Sequence, residues 1–267
     1  MSDWYLPPDG QRMAGYNRDP SNPYAVSIFS PVSTNTKGTW AQIIASTPFN
    51  ANRLMVNIIF AYFSYEYLMD VGIGPSGSEV VLVSNLYRPA LLSYYGGMSY
   101  DLPIQIPAGV RVAARVQCSG YSAGLTRVAP MFYLVGGSYL GQELYGKMID
   151  YGTNLTNTSG TLITRGTGGL GSWTQITSGC TSLIKGLVIC ITGGLSSLYD
   201  FVLDIGIGSS GSEVVLIPQW GFGNCTYDIY PRVSPIIPVN IPVGTRIAAR
   251  AYSETSSQIG VILYAFS

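Results

Sequence analysis

The sequence predicts an all-β protein made of two tandem jelly-roll-like antiparallel β-sandwich domains, produced by an internal duplication and preceded by an extended N-terminal arm. The chain has 267 residues, of which 32 are Gly, 16 Pro and 20 Tyr. This composition is typical of short strands joined by turns, because aromatic residues suit a pleated surface and Gly and Pro mark the turns. No segment shows the helical periodicity needed to cover a sheet, so two sheets packed face to face are expected.

The internal repeat determines the predicted domain organisation. GTWAQI at 38–43 matches GSWTQI at 171–176, and IQIPAGVRVAARV at 104–116 matches VNIPVGTRIAARA at 239–251. Each copy has about 100 residues, which is long enough for an independent core. We therefore predict an arm at 1–30, a first sandwich at 31–136, a connector at 137–165 and a second sandwich at 166–267.

The two segments outside the copies are predicted to lack sandwich strands. The arm combines turn residues with four aromatic side chains that suit docking onto a neighbouring subunit, namely Trp4, Tyr5, Tyr16 and Tyr24. Residues 137–165 are rich in Gly, Ser, Thr and Asn. That composition favours a connector with no more than one helical turn.

Within each copy, apolar residues alternate with period two. In YLMDVGIG, Met69, Val71 and Ile73 point to one face, while Asp70 and Gly72 point to the other. Such alternation indicates a half-buried strand. The strands counted in the first copy are TWAQIIA, RLMVNIIFAY, YLMDVGIG, SEVVLVSNL, DLPIQI, VRVAARVQ and APMFYLV. A jelly roll is the expected arrangement of these strands.

The glycines of DVGIGPSGSEVV follow the G-x-G-x-x-G spacing of dinucleotide-binding loops, at Gly72, Gly74 and Gly77, and the spacing recurs from Gly206 to Gly211. A dinucleotide loop requires a following helix, whose N-terminus supplies the N–H groups that bind the pyrophosphate. Here a β-branched run follows instead. We predict two hairpin turns and no cofactor.

The chain contains no histidine, which excludes the usual serine and cysteine triads and histidine-ligated metals. Two carboxylate pairs flank the hairpins and could serve a glycosidase, in which case Asp70→Asn or Asp204→Asn would abolish turnover. We interpret them instead as structural ion pairs on exposed strand faces, since arginines lie across the sheet. These residues are Asp70, Glu79, Arg111 and Arg115, and Asp204, Glu213, Arg246 and Arg250. We predict no catalytic residue, no metal site and no enzymatic activity.

Four cysteines show no C-x-x-C spacing and do not occupy matching places in the two copies: Cys118, Cys180, Cys190 and Cys225. Because cysteine behaves as a small apolar residue, we predict buried thiols.

Aromatic residues are concentrated before the Ile-Pro turn of each copy. We predict two long loops there, at 87–101 and 218–235, whose aromatic side chains contact a protein partner or stack on a glycan. The alternative is that these side chains cover the sandwich core. The candidates are Tyr94, Tyr95, Tyr100, Trp220, Phe222 and Tyr227.

Charge and hydropathy limit the classes of partner. Lys plus Arg and Asp plus Glu number 14 each, and no basic stripe is present, so nucleic acid is not an expected partner. The apolar run at 53–63 is shorter than the roughly 20 residues that a membrane helix needs. The N-terminus resembles no secretory signal, so synthesis in a cytoplasm is expected. Charged residues make up only 10% of the chain, and low charge with many aromatics is typical of assembly interfaces.

The segments GTWAQIIAST, DVGIGPSGSEVV and LPIQIPAGVRVAARV resemble tandem β-sandwich modules in structural proteins of tailed bacteriophages, such as decoration, fibre and tail-tip components. The resemblance covers both copies. It implies a non-enzymatic virion protein, made in the bacterial host cytoplasm and assembled through its arm and its sandwich surfaces. Our leading hypothesis is that it forms a homo-oligomer, a trimer or a ring, and binds other virion proteins. In this hypothesis the aromatic loops contact other subunits or the host surface, where a glycan is a candidate partner.

A second hypothesis is a carbohydrate-binding module or lectin that uses the aromatic loops. It predicts that Trp220→Ala abolishes sugar binding.

Overall fold

The computed structural model describes residues 12–16, 27–31, 33–61, 65–89, 98–121, 126–137, 144–192, 200–225, 228–230, 232–254 and 258–267. All regular secondary structure in these ranges is β-strand. The chain divides into two compact units, Met1–Met148 and Ile149–Ser267. The prediction of an all-β sandwich fold is confirmed.

The first unit is a sandwich of two antiparallel sheets. Its strands are β1 (Arg12–Tyr16), β2 (Ile28–Phe29), β3 (Ala41–Ile44), β4 (Ala51–Ala61), β5 (Tyr67–Ile73), β6 (Val80–Arg88), β7 (Met98–Leu102), β8 (Val112–Cys118) and β9 (Arg127–Gly136). One sheet has the order β2-β9-β4-β7, with β1 also pairing with β9, and the other has the order β3-β8-β5-β6. From β2 onward the chain crosses from one sheet to the other at every connection except the β5–β6 hairpin, in the manner of a jelly roll.

The second unit has the same strand order. The remaining strands are β10 (Met148–Tyr151), β11 (Thr153–Asn154), β12 (Ser159–Gly166), β13 (Thr174–Thr177), β14 (Ile184–Thr192), β15 (Phe201–Ile207), β16 (Val214–Cys225), β17 (Asp228–Tyr230), β18 (Ile237–Ile241), β19 (Ile247–Ser253) and β20 (Gln258–Phe266). The two sheets are β12-β20-β14-β18 and β13-β19-β15-β16, and β17 extends the second.

The two units correspond in register as well as in order. Ala41 pairs with Ala114 in the first unit, and Thr174 pairs with Ala249 in the second. Both pairings shift register two or three residues later, at a β-bulge. The repeated sequence segments thus occupy equivalent places in two similar sandwiches, and their origin by duplication stays a prediction.

The described parts of the predicted arm belong to the first sandwich. Tyr16 in β1 lies opposite Phe132, and Ile28 in β2 lies opposite Val128. The expectation of an extended arm was therefore wrong for these residues, because β9 offers them an unpaired edge and their own unit satisfies it. Trp4, Tyr5 and Tyr24 lie outside the described residues.

The predicted connector is also largely strand. The segment 148–166 contains β10, β11 and β12. The β12 strand pairs with β20, with Ile163 opposite Ile259. The expectation of a loop with a helical turn was wrong, because the Thr and Ile residues of SGTLITRG alternate with the period of a strand.

Each core lies between the two sheets of its unit. Leu54 and Phe132 come from one sheet of the first unit and Met69 from the other, and all three are at most 1% exposed. The second core includes Ile189 of β14 and Leu203 of β15, which come from the two sheets of the second unit. The apolar face predicted for β5 is therefore the inner face.

The glycine pattern forms two hairpin turns, as predicted. Gly74 and Gly77 have φ of +116° and +84°, and Gly208 and Gly211 have φ of +112° and +82°. Such angles strain any residue with a Cβ. A strand follows each turn, so no helix N-terminus is present to hold a phosphate.

The first glycine of each pattern has a different role. A Cβ placed on Gly72 would lie 2.8 Å from Cη2 of Trp40, and one on Gly206 would lie 2.7 Å from Cη2 of Trp173. The glycine allows the indole ring to lie directly on the strand. In each G-x-G-x-x-G segment, the first glycine thus permits close packing of an indole ring, and the second and third glycines form the turn.

We expect Gly72→Ala and Gly206→Ala each to lower the free energy of unfolding by about 1–3 kcal/mol, because the added methyl group displaces the indole ring. Gly168→Ala is the control, since a Cβ there meets nothing within 4 Å. Unfolding midpoints in urea measure the difference. Equal midpoints for all three variants would contradict this role of the indole rings.

Candidate functional site

A buried aspartate lies at the centre of a polar cluster on the outer face of the first sandwich. Asp70 is 3% exposed. Its carboxylate accepts hydrogen bonds from Nζ of Lys37 at 2.8 Å and from Nε of Arg115 at 2.9 Å. The guanidinium of Arg115 in turn stacks over Trp40, 4.5 Å from the ring centroid. A carboxylate, two cations and an indole ring therefore form one connected cluster.

The aspartate also fixes the conformation of the neighbouring strand. Asn85 in β6 has φ of +53°, and its backbone N–H donates to Oδ1 of Asp70 at 3.0 Å. The register between β5 and β6 shifts between Met69 and Val71. The side chain thus satisfies a backbone donor that the bulge removes from the strand pairing.

The second sandwich repeats the carboxylate, the arginine and the indole ring of this cluster. Asp204 is 2% exposed and pairs with Arg250 at 2.9 Å. Arg250 stacks over Trp173 at 4.4 Å from its ring centroid. The backbone N–H of Gln219, whose φ is +44°, donates to Asp204 at 2.7 Å.

Each hairpin turn is closed by a second ion pair. Oε1 of Glu79 accepts from Arg111 at 2.7 Å, and its Oε2 accepts from the backbone N–H of Gly77 at 3.0 Å. Glu213 makes the same bonds to Arg246 and Gly211, at 2.8 Å and 3.0 Å. Desolvation by itself raises the pKa of each glutamate, but the hydrogen bonds and charge of the arginine and the turn N–H groups together hold the pKa below its ordinary value.

All eight residues named from the sequence as ion-pairing partners are paired, but not on exposed faces as expected. The four carboxylate side chains are only 2–5% exposed, and each pairs with an arginine. Their oxygens are occupied by cations and backbone donors. This geometry favours a structural role for the carboxylates and gives a sugar substrate no access to them.

The described thiols are buried, as predicted. Cys118, Cys180 and Cys190 are buried. Burial raises the pKa of Cys118 and of Cys180 to about 11. The side chain of Cys225 lies outside the described residues.

The aromatic candidates for partner or glycan contact are largely core residues where the structure describes them. Tyr100 lies in β7, is 2% exposed and donates its hydroxyl to the carbonyl of Tyr87. Phe222 is 2% exposed and stacks on Phe201, with centroids 5.1 Å apart. Trp220 packs against the second core. The expectation of exposed loop aromatics was wrong for these three. Tyr100 belongs to β7, and Trp220 and Phe222 belong to β16 and point inward.

The other three aromatic candidates, Tyr94, Tyr95 and Tyr227, lie outside the described residues.

A groove of about 530 Å³ opens at one end of the β15-β16-β19 sheet in the second sandwich. It is lined by Asp200, Phe201, Val202, Gly221, Phe222, Gly223, Tyr252 and Glu254. Asp200, Gly221 and Glu254 are exposed. Sequence reasoning did not identify this groove, although aligning the two copies residue by residue would have placed Gly221 opposite an aromatic residue of the first copy.

Exposed valines occupy equivalent places in the two sandwiches. Val80 and Val214 are 68% and 67% exposed, and the residues that follow them, Val81 and Val215, are 38% and 39% exposed. They begin β6 and β16, where the strands pair with β5 and β15. Beyond the valines, Met148 of β10 pairs with Val83 of β6, and β17 pairs with β16 from Gly223 onward. The other edge of each strand is therefore open along these valines in the part of the chain that the structure describes.

Neither a membrane helix nor a metal cluster is found in the described ranges. No helix there has the length and apolar character to cross a bilayer. No group of three or more Cys, Asp or Glu residues lies in an arrangement that could hold a metal ion, again within those ranges.

Comparison with known proteins gives only weak structural likeness. No protein-family model and no curated protein matches the chain. The structure of PNGF-II in space group C2 is 8% identical, with 91% of this chain and 64% of the PNGF-II chain covered and a TM-score of 0.38. A chain from the complex of the plant peptide RALF23 with FER and LLG2 is 11% identical, with coverages of 96% and 88% and a TM-score of 0.28. This chain thus spans less than two thirds of PNGF-II, and similarity at these TM-scores carries no functional argument.

We expect Asp70→Asn to lower the free energy of unfolding by about 1–3 kcal/mol, because it leaves Arg115 without its charged partner. Asp70→Ala should cost more, since the N–H of Asn85 also loses its acceptor. Asp101→Asn is the control, because its pair with Arg53 is exposed and contributes less than about 1 kcal/mol. Denaturant unfolding gives the loss in free energy of unfolding for each of the three variants, and hence their order. Equal effects at positions 70 and 101 would exclude a central role for Asp70.

Because the folded-state pKa of Glu79 and Glu213 lies below the ordinary value of 4.5, the unfolded chain takes up protons first as the pH falls. Their contribution to stability is therefore complete above about pH 4.5 and is lost on acidification through the folded-state pKa. We expect Glu79→Gln/Glu213→Gln to be less stable at pH 7 and to lose less stability on acidification. Glu254→Gln, which changes an exposed glutamate, serves as the control. Parallel pH profiles for the wild type and the double variant would contradict the assignment.

Proposed function

We propose that the protein is a non-enzymatic structural component of a bacteriophage particle that acts through protein–protein assembly. Viral capsid domains are among the proteins that use jelly-roll folds, and lectins and cupins use them too. The fold supports the proposal by analogy alone, and the support for assembly comes from the surfaces of the sandwiches.

The observation that carries the proposal is the repeated valine edge. An exposed apolar strand edge promotes pairing with another chain, and soluble monomers usually protect such edges with charges, proline or covering loops. Here Val80–Val81 and Val214–Val215 leave the same edge apolar in both sandwiches. We propose that these edges pair with other copies of the chain, in trimers or rings, or with other virion proteins.

The ion-pair clusters support the same proposal. They bury the carboxylates that the best catalytic alternative would require, and they stiffen the outer face of each sandwich. A rigid module whose buried charges are already paired suits a structural subunit.

The carbohydrate-binding alternative loses part of its basis. Tyr100 and Phe222, which would have provided stacking surfaces for sugar rings, are buried, and Trp220 is partly buried against the second core. Host-surface contact through the aromatic segments at 87–101 and 218–235 stays a prediction of the sequence.

We expect the wild-type chain to have a mass in solution that is a multiple of 28.6 kDa. Val80→Lys/Val214→Lys should shift the mass towards the monomer, because a charge on the strand edge opposes pairing. Val243→Lys is the control, since Val243 is 64% exposed but lies in a turn. Light scattering across a range of concentrations measures the mass.

A wild-type chain that stays monomeric and binds no purified virion protein would overturn the proposal. Electron microscopy of phage particles that carry a tagged chain tests the virion assignment directly. Absence of the tag from intact particles would exclude it.

A further inference from the structure

The groove of the second sandwich corresponds to a filled position in the first. In the first unit, Leu68 of β5 pairs with Tyr87 of β6. In the second, Val202 of β15 pairs with Gly221 of β16. Leu68 and Val202 each lie two residues before the buried aspartate of their unit. Their partners Tyr87 and Gly221 therefore occupy equivalent positions in the two units.

The first unit shows what occupies this position when a side chain is present. Tyr87 is fully buried. Its hydroxyl donates to Oε1 of Glu66 at 2.6 Å. Glu66 is the residue immediately before β5. The position thus holds a phenol ring whose hydroxyl donates a hydrogen bond to a carboxylate.

The second unit keeps the acceptor and omits the ring. Asp200 immediately precedes β15, as Glu66 precedes β5, and it lines the groove. A Cβ added to Gly221 would meet no atom within 4 Å. Glu254 adds a second exposed carboxylate, and Tyr252, which pairs with Val202, provides an aromatic wall.

We propose that this groove binds a tyrosine side chain presented by a partner protein, with the phenol hydroxyl donating to Asp200 and the ring packing beside Tyr252. The occupant is inferred from Tyr87, which fills the same place within the first unit. Two acidic residues favour a hydrogen-bond donor over an anionic ligand. Aromatic side chains that enter pockets are also the usual anchors of protein interfaces.

This inference adds to the proposed assembly role the chemistry of the partner, a tyrosine side chain. It rests on the proposed function only in that a partner protein presents this side chain. The groove itself can be tested with a small probe, without any virion protein. The two proposals can therefore fail separately.

The probe is N-acetyl-L-tyrosinamide, titrated into the full chain and followed by NMR. We expect a Kd on the order of 1 mM, as is usual for so small a ligand. N-acetyl-L-phenylalaninamide should bind at least about tenfold more weakly, because it lacks the hydroxyl that bonds to a charged acceptor. Asp200→Asn should weaken binding of the tyrosine probe by a similar factor.

Gly221→Tyr is the decisive variant, because its own ring should fill the groove as Tyr87 does in the first unit. We expect it to abolish probe binding while keeping the thermal midpoint of the wild type or raising it. Gly168→Tyr, at a loop glycine with open space around it, is the matched control and should bind the probe like the wild type.

Failure of the tyrosine probe to bind, equal binding of the phenylalanine probe, or unchanged binding in Gly221→Tyr would each overturn the inference. If the chain assembles but does not bind the probe, only the groove inference is wrong. If the probe binds in the predicted pattern while the chain is monomeric and binds no virion protein, the groove inference holds and the assembly proposal is wrong.

Discussion

The hydrogen bond between a buried aspartate and a strongly bent neighbouring strand is the interaction on which both sandwiches depend. Asp70 and Asp204 each accept the N–H of a non-glycine residue with positive φ, a conformation that few side chains tolerate. Without that acceptor, a backbone donor would be left unsatisfied in a partly buried bulge. The aspartate is therefore both the anchor of the bulge and the buried charge that the rest of the cluster must neutralise.

The indole rings and glycines follow from that requirement. A buried carboxylate is stable only when cations and donors compensate the loss of hydration. Arg115 and Arg250 provide the charge, and Trp40 and Trp173 hold the guanidinium groups by stacking. Each indole ring can reach its arginine only because the strand beneath it carries glycine. A glycine spacing that resembles a phosphate loop is thus explained by close packing and a tight turn.

The two sandwiches share this framework and differ at the end of the same sheet. In the first, Tyr87 closes the end of β5 and β6 from within the chain. In the second, Gly221 leaves a groove beside Asp200 and Tyr252. A repeated fold can therefore carry distinct surfaces, since function depends on local side chains rather than on the sandwich itself.

The sequence by itself determined the all-β class, the two repeated modules, the hairpin turns and the identity of the ion-pairing residues. These depend on periodicity of two and on turn chemistry, which are local properties of the chain. The tertiary structure decided which side chains are buried: it placed Phe222 in the core and Trp220 against the core, and it buried the four carboxylates. It also decided that 12–16 and 148–166 form strands and that a groove opens at Gly221. Such outcomes depend on which strands pair, often at long range as β1 does with β9 and β12 with β20, and a residue's own neighbours in the chain do not specify that pairing.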